Sequence, residues 1–464
     1  MTLEETLAAL DPWIRAEMER LHVPGLALGI LDGEREHTAC FGVTNLENPL
    51  AVDPDTLFQI GSISKTVTAT AMMRLTESGS VADAAAGAVT LDAPVRVYLP
   101  ELRLADPQTT AQVTLTHIFT HSGGWRGDYF ADAGTGDEAL RSVVGRLEAL
   151  PQETPLGQVW SYNNAGFYIA GRVIEALTAK PFETAIRELA LEPLGMQRSF
   201  YFAREAITYR VAAGHAAVYS GQAGAPEVLR PWWLARAANP LGGLNSTIRD
   251  LLRYASFHLG DGRAADGARL LSTEALRRMQ TPVCPAANGE QMGISWFLRA
   301  AGGVRILRHG GATNGQMATL QLVPQRGFAV AVLTNSDRGG ELYQPLVKRV
   351  FERALGLVEP EPQPLPMTAA ALAEYPGCYR AAAQDLWIER QADELTLRVE
   401  PKGGFPTPDS PPPPAPPLVR LALCAPDCLL GLEEPFKDSR LEILRGADGE
   451  IIWLRFGGRV HRRQ

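Results

Sequence analysis

A serine and a lysine three positions apart are the first residues of this chain able to do covalent chemistry together. They are Ser62 and Lys65, in the stretch Phe58-Gln-Ile-Gly-Ser62-Ile-Ser-Lys65-Thr-Val-Thr-Ala. Here an extended segment gives way to a helix of small and apolar residues, including Val67, Ala69, Ala71, Met72, Met73 and Leu75. Helix positions i and i+3 share a face, so the hydroxyl and the amine can meet. The helix N-terminus adds unpaired N–H groups and partial positive charge. That combination suits a serine nucleophile with an amine base. A serine opening a helix is equally an ordinary N-cap, so other stretches must decide between the two readings.

Two of them bear on the choice. Trp160-Ser-Tyr162-Asn163-Asn164-Ala-Gly lies at a loop-to-helix junction, where Tyr162 and Asn164 could offer a phenol and an amide to one cleft. The plainer reading packs Tyr162 on Trp160 and lets Asn164 cap the helix. Arg308-His309-Gly310-Gly311-Ala312 lies at a strand edge, where paired glycines let a substrate backbone approach closely. His117 and His121 have i, i+4 metal-ligand spacing, but no Glu stands beside the first His as the zinc-protease motif requires. They read as hydrogen-bonded loop residues before the Gly123-Gly124 helix stop, and no metal or cofactor is expected.

The elements that must position these residues follow from periodicity. Leu3, Leu7, Leu10, Ile14, Met18 and Leu21 form a helical stripe, which Asp11-Pro12 is expected to interrupt and restart. Residues 25–31 and 34–41 form a hairpin across Asp32-Gly33. Helices are expected over 163–178, 182–191, 247–259, 273–279 and 342–355, and strands over 304–308, 318–322 and 328–333. Strands, a large helical middle, then strands and a helix imply one antiparallel sheet completed by both ends of the segment, an α/β (α+β) fold. The organisation read from this is a domain over 1–358 and a stiff proline-rich linker over 359–366. An all-β domain over 367–464 follows, a barrel or a curved meander. Its proline-rich segment 401–417 is a projecting loop, since proline cannot occupy a central strand. Cys424 and Cys428 have no histidine pair nearby and read as incidental thiols.

Composition narrows the function. The 464 residues are 45% hydrophobic and 21% charged, with a net charge of -8, so nucleic acid is not an expected partner. No apolar run approaches the ~20 residues of a membrane span. The acidic start Met-Thr-Leu-Glu-Glu lacks the features of a secretory signal, and the five scattered cysteines suit a reducing compartment. A cytoplasmic location is the expectation.

Taken in order, Ser62-x-x-Lys65, Tyr162-x-Asn164 and His309-x-Gly311 resemble the three motifs of the penicillin-recognising serine hydrolases. That family includes class C β-lactamases, D-alanyl-D-alanine carboxypeptidases, D-aminopeptidases and esterases. The resemblance runs from about residue 12 to 357. It implies an α/β sandwich with an all-helical subdomain, and acyl transfer with Ser62, Lys65 and Tyr162 as catalytic residues. It further implies that Asn164, His309 and Gly311 bind substrate, and that the N–H groups of Ser62 and Ala312 form an oxyanion hole. The third motif is more often Lys-Thr-Gly. With a pKa near ~6.5, His309 would be mostly neutral above that pH, which weakens the usual carboxylate anchor. His309 is instead expected to donate a hydrogen bond. The β domain is similar to an extra barrel carried by some aminopeptidase relatives, either capping the cleft or making a homo-oligomer. The expected function is amide hydrolysis in small, D-residue-containing peptides. The alternatives are a carboxylesterase, a weak β-lactamase, or a non-catalytic scaffold.

Overall fold

Strands buried on both faces form the centre of the first part of the chain. The computed structural model describes residues 3–78, 88–216, 226–407 and 409–464. Eight antiparallel strands make the main sheet: β1 (Gly25–Asp32), β2 (Arg35–Gly42), β3 (Cys284–Pro285), β4 (Gln291–Met292), β5 (Phe297–Ala301), β6 (Val304–Thr313), β7 (Gln316–Val323) and β8 (Phe328–Thr334). Their order is β2-β1-β8-β7-β6-β5-β4-β3, so the N-terminal hairpin adds to a strand that comes about 300 residues later (Leu26 pairs with Thr334).

Alternation decides what each face touches. Leu26, Leu28, Ile30, Val330 and Val332 pack against α1 (Leu3–Leu21) and the helix Gly339–Leu355. Ala27, Leu31, Ala329, Ala331 and Leu333 turn the other way, onto the helix Ile248–Leu259. Gly29 makes that second contact possible: a Cβ there would lie 2.7 Å from Ile248. Helix α1 runs unbroken through Pro12, contrary to the expected restart. Leu10 and Ile14, on either side of the proline, are both buried against the sheet, and that packing holds the helix together across the lost N–H.

Between β2 and β3 the chain is mainly helical. Helix α2 (Ser64–Ser78) is buried almost throughout its first three turns, and α3 (Ala165–Thr178) packs beside it. Polar residues within α2 are satisfied. Thr68 donates to Pro240 O at 2.8 Å, and Thr70 Oγ1 lies 3.0 Å from the Tyr254 hydroxyl.

The C-terminal strands close into an eight-stranded antiparallel barrel. They are β9 (Gly377–Arg380), β10 (Gln384–Gln391), β11 (Glu394–Pro401), β12 (Val419–Ala425), β13 (Cys428–Gly431), β14 (Arg440–Arg445), β15 (Ile451–Phe456) and β16 (Arg459–Arg463). Closure depends on β16, which pairs with β9 through Tyr379–Arg463 and Arg380–Arg462. Leu386, Ile388, Leu395, Leu397, Leu429 and Leu454 fill the interior. The proline-rich connection is tied down, since Leu365 N donates to Leu423 O at 2.6 Å and Glu359 pairs with Arg299. In the 401–417 loop, whose Pro408 lies outside the described residues, the Phe405 ring meets Phe130 edge-on at 5.0 Å. Among the described residues, no helix is long and apolar enough to cross a membrane.

Candidate active site

Ser62 does not cap a helix. It sits in a single 3₁₀ turn, Gly61–Ile63, that feeds α2, and no side chain caps that turn. From Thr56 to Met73, Ser62 is the only residue that is not buried. The fold therefore presents one hydroxyl at the surface of an otherwise closed segment. Lys65, fully buried, donates from Nζ to Ser62 Oγ at 2.9 Å and to Leu241 O at 2.6 Å. Burial holds the Lys65 pKa well below that of a free lysine; Arg459 adds to this and Asp128 opposes it. The amine is thereby disposed to be neutral and basic.

Tyr162, at the loop before α3, shares a hydrogen bond with the Ser62 side chain. Burial pushes its phenol up to about 12, against that bond and against Arg459, so it stays protonated at neutral pH. His121 stacks on the same ring at 4.2 Å. Asn163, rather than Asn164, caps α3, with Oδ1 accepting from Gly166 N at 2.8 Å. Asn164 is left free to turn its amide elsewhere, and Nδ2 donates to Asp128 at 2.9 Å.

The third stretch forms the end of β6. Strand β5 pairs with β6 only as far as Arg308, which leaves residues 309–313 with an open edge. Gly311 and Gly61 allow this edge to lie against the serine turn. A Cβ on Gly311 would fall 1.9 Å from Ile60 O and 3.1 Å from Ser62 N, and one on Gly61 2.6 Å from Ala312 N. Gly61 also has φ +50°, a conformation that favours glycine. The amides of Ser62 and Ala312 are thus neighbours.

His309 departs from the expectation. Burial, with Lys65 nearby, pushes its pKa down to about 3, so it is neutral across the physiological range and not only above ~6.5. Its Nδ1 lies 2.7 Å from Gly310 O. A carbonyl only accepts, so Nδ1 carries the proton. Nε2, which has no partner among the described residues, is an acceptor and not the expected donor.

Sequence reasoning missed two residues here. Arg459, at the start of β16, donates to Asp128 from Nε at 3.1 Å and from Nη2 at 3.2 Å, with its guanidinium 4.7 Å from the Tyr162 ring centre. Although burial works against it, the Asp128 pKa is held below the usual carboxylate value by Arg459 and Asn164. The barrel delivers Arg459 through the tight Gly457-Gly458 turn, with φ +57° and +76°. Gly458 O accepts from Tyr162 N at 2.8 Å, and Arg455 donates to Trp160 O at 3.1 Å. Gly457-Gly458 after the apolar run Ile451–Phe456 was the available signal for this turn, though not for the polar strand that follows it.

His117 and His121 do not converge. The helix Leu115–Phe119 ends before His121, which itself takes the left-handed turn (φ +56°) expected of the glycines. No cluster able to hold a metal ion occurs among the described residues. Cys424 and Cys428 are free thiols with Sγ atoms 3.3 Å apart.

A half-buried serine bonded to a fully buried lysine, with a tyrosine beside it and a strand edge across from it, defines a serine hydrolase of the β-lactamase type. The chain belongs to the Beta-lactamase family, which it matches over residues 10–354. It is 34% identical over 367 residues to "Penicillin-binding protein 4" of Amycolatopsis lactamdurans, covering 76% of this chain and 92% of that protein. It is 26% identical over 411 residues to "D-aminopeptidase" of Gluconobacter oxydans, covering 86% of this chain and 69% of that one. Among solved structures, SurE with D-Leu aligns over 99% of this chain and 100% of its own, with a TM-score of 0.73 at 24% identity. The shared fold therefore extends through the barrel.

Proposed function

We propose that this protein hydrolyses amide bonds of small peptides, D-residue-containing ones among them, through an acyl-enzyme on Ser62. The observation that carries the reading is the 2.9 Å contact between the half-buried Ser62 hydroxyl and a buried lysine whose charge is disfavoured. Lys65 Nζ takes the Oγ proton as Oγ attacks the carbonyl. The developing oxyanion is met by the N–H groups of Ser62 and Ala312, where one such donor is typically worth ~3 kcal/mol. The proton on Lys65 leaves through Tyr162, whose phenol gives its own proton to the departing amine as it takes one from Lys65, so Tyr162 remains a phenol and Lys65 is neutral again. Water then attacks the ester, Lys65 takes its proton, and Oγ recovers one. Asn164, His309 and Gly311 line the substrate's path, with His309 Nε2 accepting from a substrate N–H.

The similarity to a protein named D-aminopeptidase over 86% of the chain supports the amide reading. A carboxylesterase acting on short acyl esters is the second reading. A panel of D- and L-amino-acid amides against aryl acetates decides between them. Penicillins should turn over poorly, because His309 is neutral and Asp128 already balances Arg459. Turnover of penicillin at pH 7.5 as efficient as that of the best amide would overturn that expectation. The contact of Phe405 with Phe130 supports the barrel loop as a cap on the cleft. Light scattering would detect a homo-oligomer.

A further inference from the structure

His121 is a buried titratable side chain for which the reaction so far has no use. It is 1% exposed and takes φ +56°, a left-handed conformation that is strained for a residue with a Cβ. Such strain persists only where surrounding contacts hold it, and it gathers at functional sites. Here His121 holds three consecutive residues of the second motif, each in a different way. Its carbonyl accepts from Ser161 N at 3.1 Å. Its ring stacks on Tyr162 at 4.2 Å, with 29° between the planes. Its Nδ1 lies 3.0 Å from Asn163 N. Asn163 O is also 3.2 Å from that nitrogen, but an amide N–H only donates, so Nδ1 accepts and the ring proton sits on Nε2.

The imidazole is walled in by Trp160, edge-on at 6.1 Å, and by Phe167, tilted at 5.6 Å. Burial first, then Lys65 and His309, holds its pKa well below the usual histidine value, with the Asn163 backbone opposing them. His121 is therefore a neutral ring and adds no further cation beside Lys65 and Arg459. Its Nε2 has no partner among the described residues, so no hydrogen bond on that side pulls the ring away from residues 161–163.

Tyr162 needs such a hold. It is a loop residue, before α3 begins at Ala165. Its own N–H is taken by the barrel, at Gly458 O, which fixes its backbone but not the direction of its ring. Of the rings around it, Phe297 lies 6.3 Å away and His309 6.4 Å, so His121 is the one in close contact. The hydroxyl on that ring meets the Ser62 side chain. Proton transfer requires heavy atoms about 2.6–3.2 Å apart, so a small swing of the ring would break the relay.

We infer that His121 is a positioning residue for Tyr162: its ring and its Nδ1 hold the phenol at the angle from which a proton passes to the departing amine, and neither touches substrate. The inference rests on Tyr162 as the donor of that proton, within the acyl-enzyme reading. The test compares leaving groups, since 4-nitrophenolate departs without a proton and an amine must receive one. The full-length protein is assayed with the amino acid it prefers, as the 4-nitroanilide and as the 4-nitrophenyl ester, and kcat/KM is read because it reports acylation for both. His121→Phe keeps a ring and removes the acceptor. His121→Asn keeps an acceptor near the Nδ1 position, tolerates the left-handed backbone and removes the ring. Each should lower kcat/KM for the anilide by about tenfold or more and for the ester by less than about threefold. In a Tyr162→Phe background the same substitutions should cost less than about twofold, because the group they position is gone. A merely structural role lowers both substrates alike, through the folded fraction, and persists without the phenol. Equal losses on anilide and ester, a full additional loss in the Tyr162→Phe background, or no loss at all overturns the inference. If Tyr162→Phe itself costs the anilide no more than the ester, Tyr162 is not the donor. That reading and this inference then fall together, while a Ser62 adduct seen by intact mass leaves the acyl-enzyme standing.

Discussion

The serine turn and the last hairpin of the barrel each set a cation against Tyr162, and they do so by opposite means. Lys65 reaches the ring, 5.1 Å from its centre, because it stands one helical turn from Ser62 in a segment that is buried wherever it is not reactive. Arg459 reaches it at 4.7 Å from a different domain-like unit, across 331 positions from its partner Asp128. The first cation has no ion-paired carboxylate among the described residues and is fully buried, so its charge is disfavoured. The second is paired and keeps 37% of its side chain exposed, so its charge persists. One group is thereby prepared to exchange a proton and the other to stay charged, although the two share a single aromatic ring. Burial and pairing, more than residue type, make the difference.

Substitutions can test whether the two regions really act on one site. Ser62→Ala should remove acylation altogether, seen as loss of the mass adduct and a fall of about 10⁴-fold or more in kcat. Tyr162→Phe keeps the ring that both cations face and deletes only the hydroxyl; a loss of about 10²–10³-fold in kcat is expected. Arg459→Met tests the comparison most directly. Arg459 lowers the Lys65 pKa, so its removal raises that pKa and leaves more Lys65 protonated at a given pH. The acid limb of kcat/KM should then move to higher pH, with a loss of about tenfold at neutrality. A profile that keeps its midpoint would show that the barrel cation does not reach the base. Asp128→Asn should do the reverse. Asp128 supports protonated Lys65, so the limb moves to lower pH, and the unbalanced Arg459 should improve penicillin turnover by a few fold. Gly458→Ala should have the smallest effect. A Cβ at φ +76° and 3.3 Å from Trp160 should cost about 1–2 kcal/mol in urea unfolding, with activity falling only as the hairpin shifts.

The same contrast separates what was legible in the sequence from what was not. Ser62 and Lys65, Tyr162 and Asn164, and His309 with Gly311 are short-range patterns, and their spacing survives into the structure. Strands were readable over 304–308, 318–322 and 328–333; the last is buried throughout and reads as a near-continuous apolar run, whereas the polar and glycine-rich end of β6 beyond Arg308 was not read as strand. Strand β16, Arg-Val-His-Arg-Arg, was not readable either, since it closes the barrel with polar residues and only Val460 and His461 are buried. Arg459 and Asp128 had no local pattern at all; only the closed barrel makes them neighbours. The protonation of His309 was misjudged for a related reason. Its reference pKa is a property of the residue, whereas its value in the protein comes from neighbours that folding supplies.

The separation of Asp128 from Arg459 also bears on how the protein comes into being. A ribosome making this chain releases the serine, the lysine and the tyrosine long before it has read the codon for Arg459, and units of a chain fold in the order they emerge. Sheet residues through Thr334, and the helix that follows them, are available to fold while the barrel is still being translated. The nascent protein therefore holds its nucleophile for a time without its second cation, and the last hairpin sets when the finished electrostatics of the site begin.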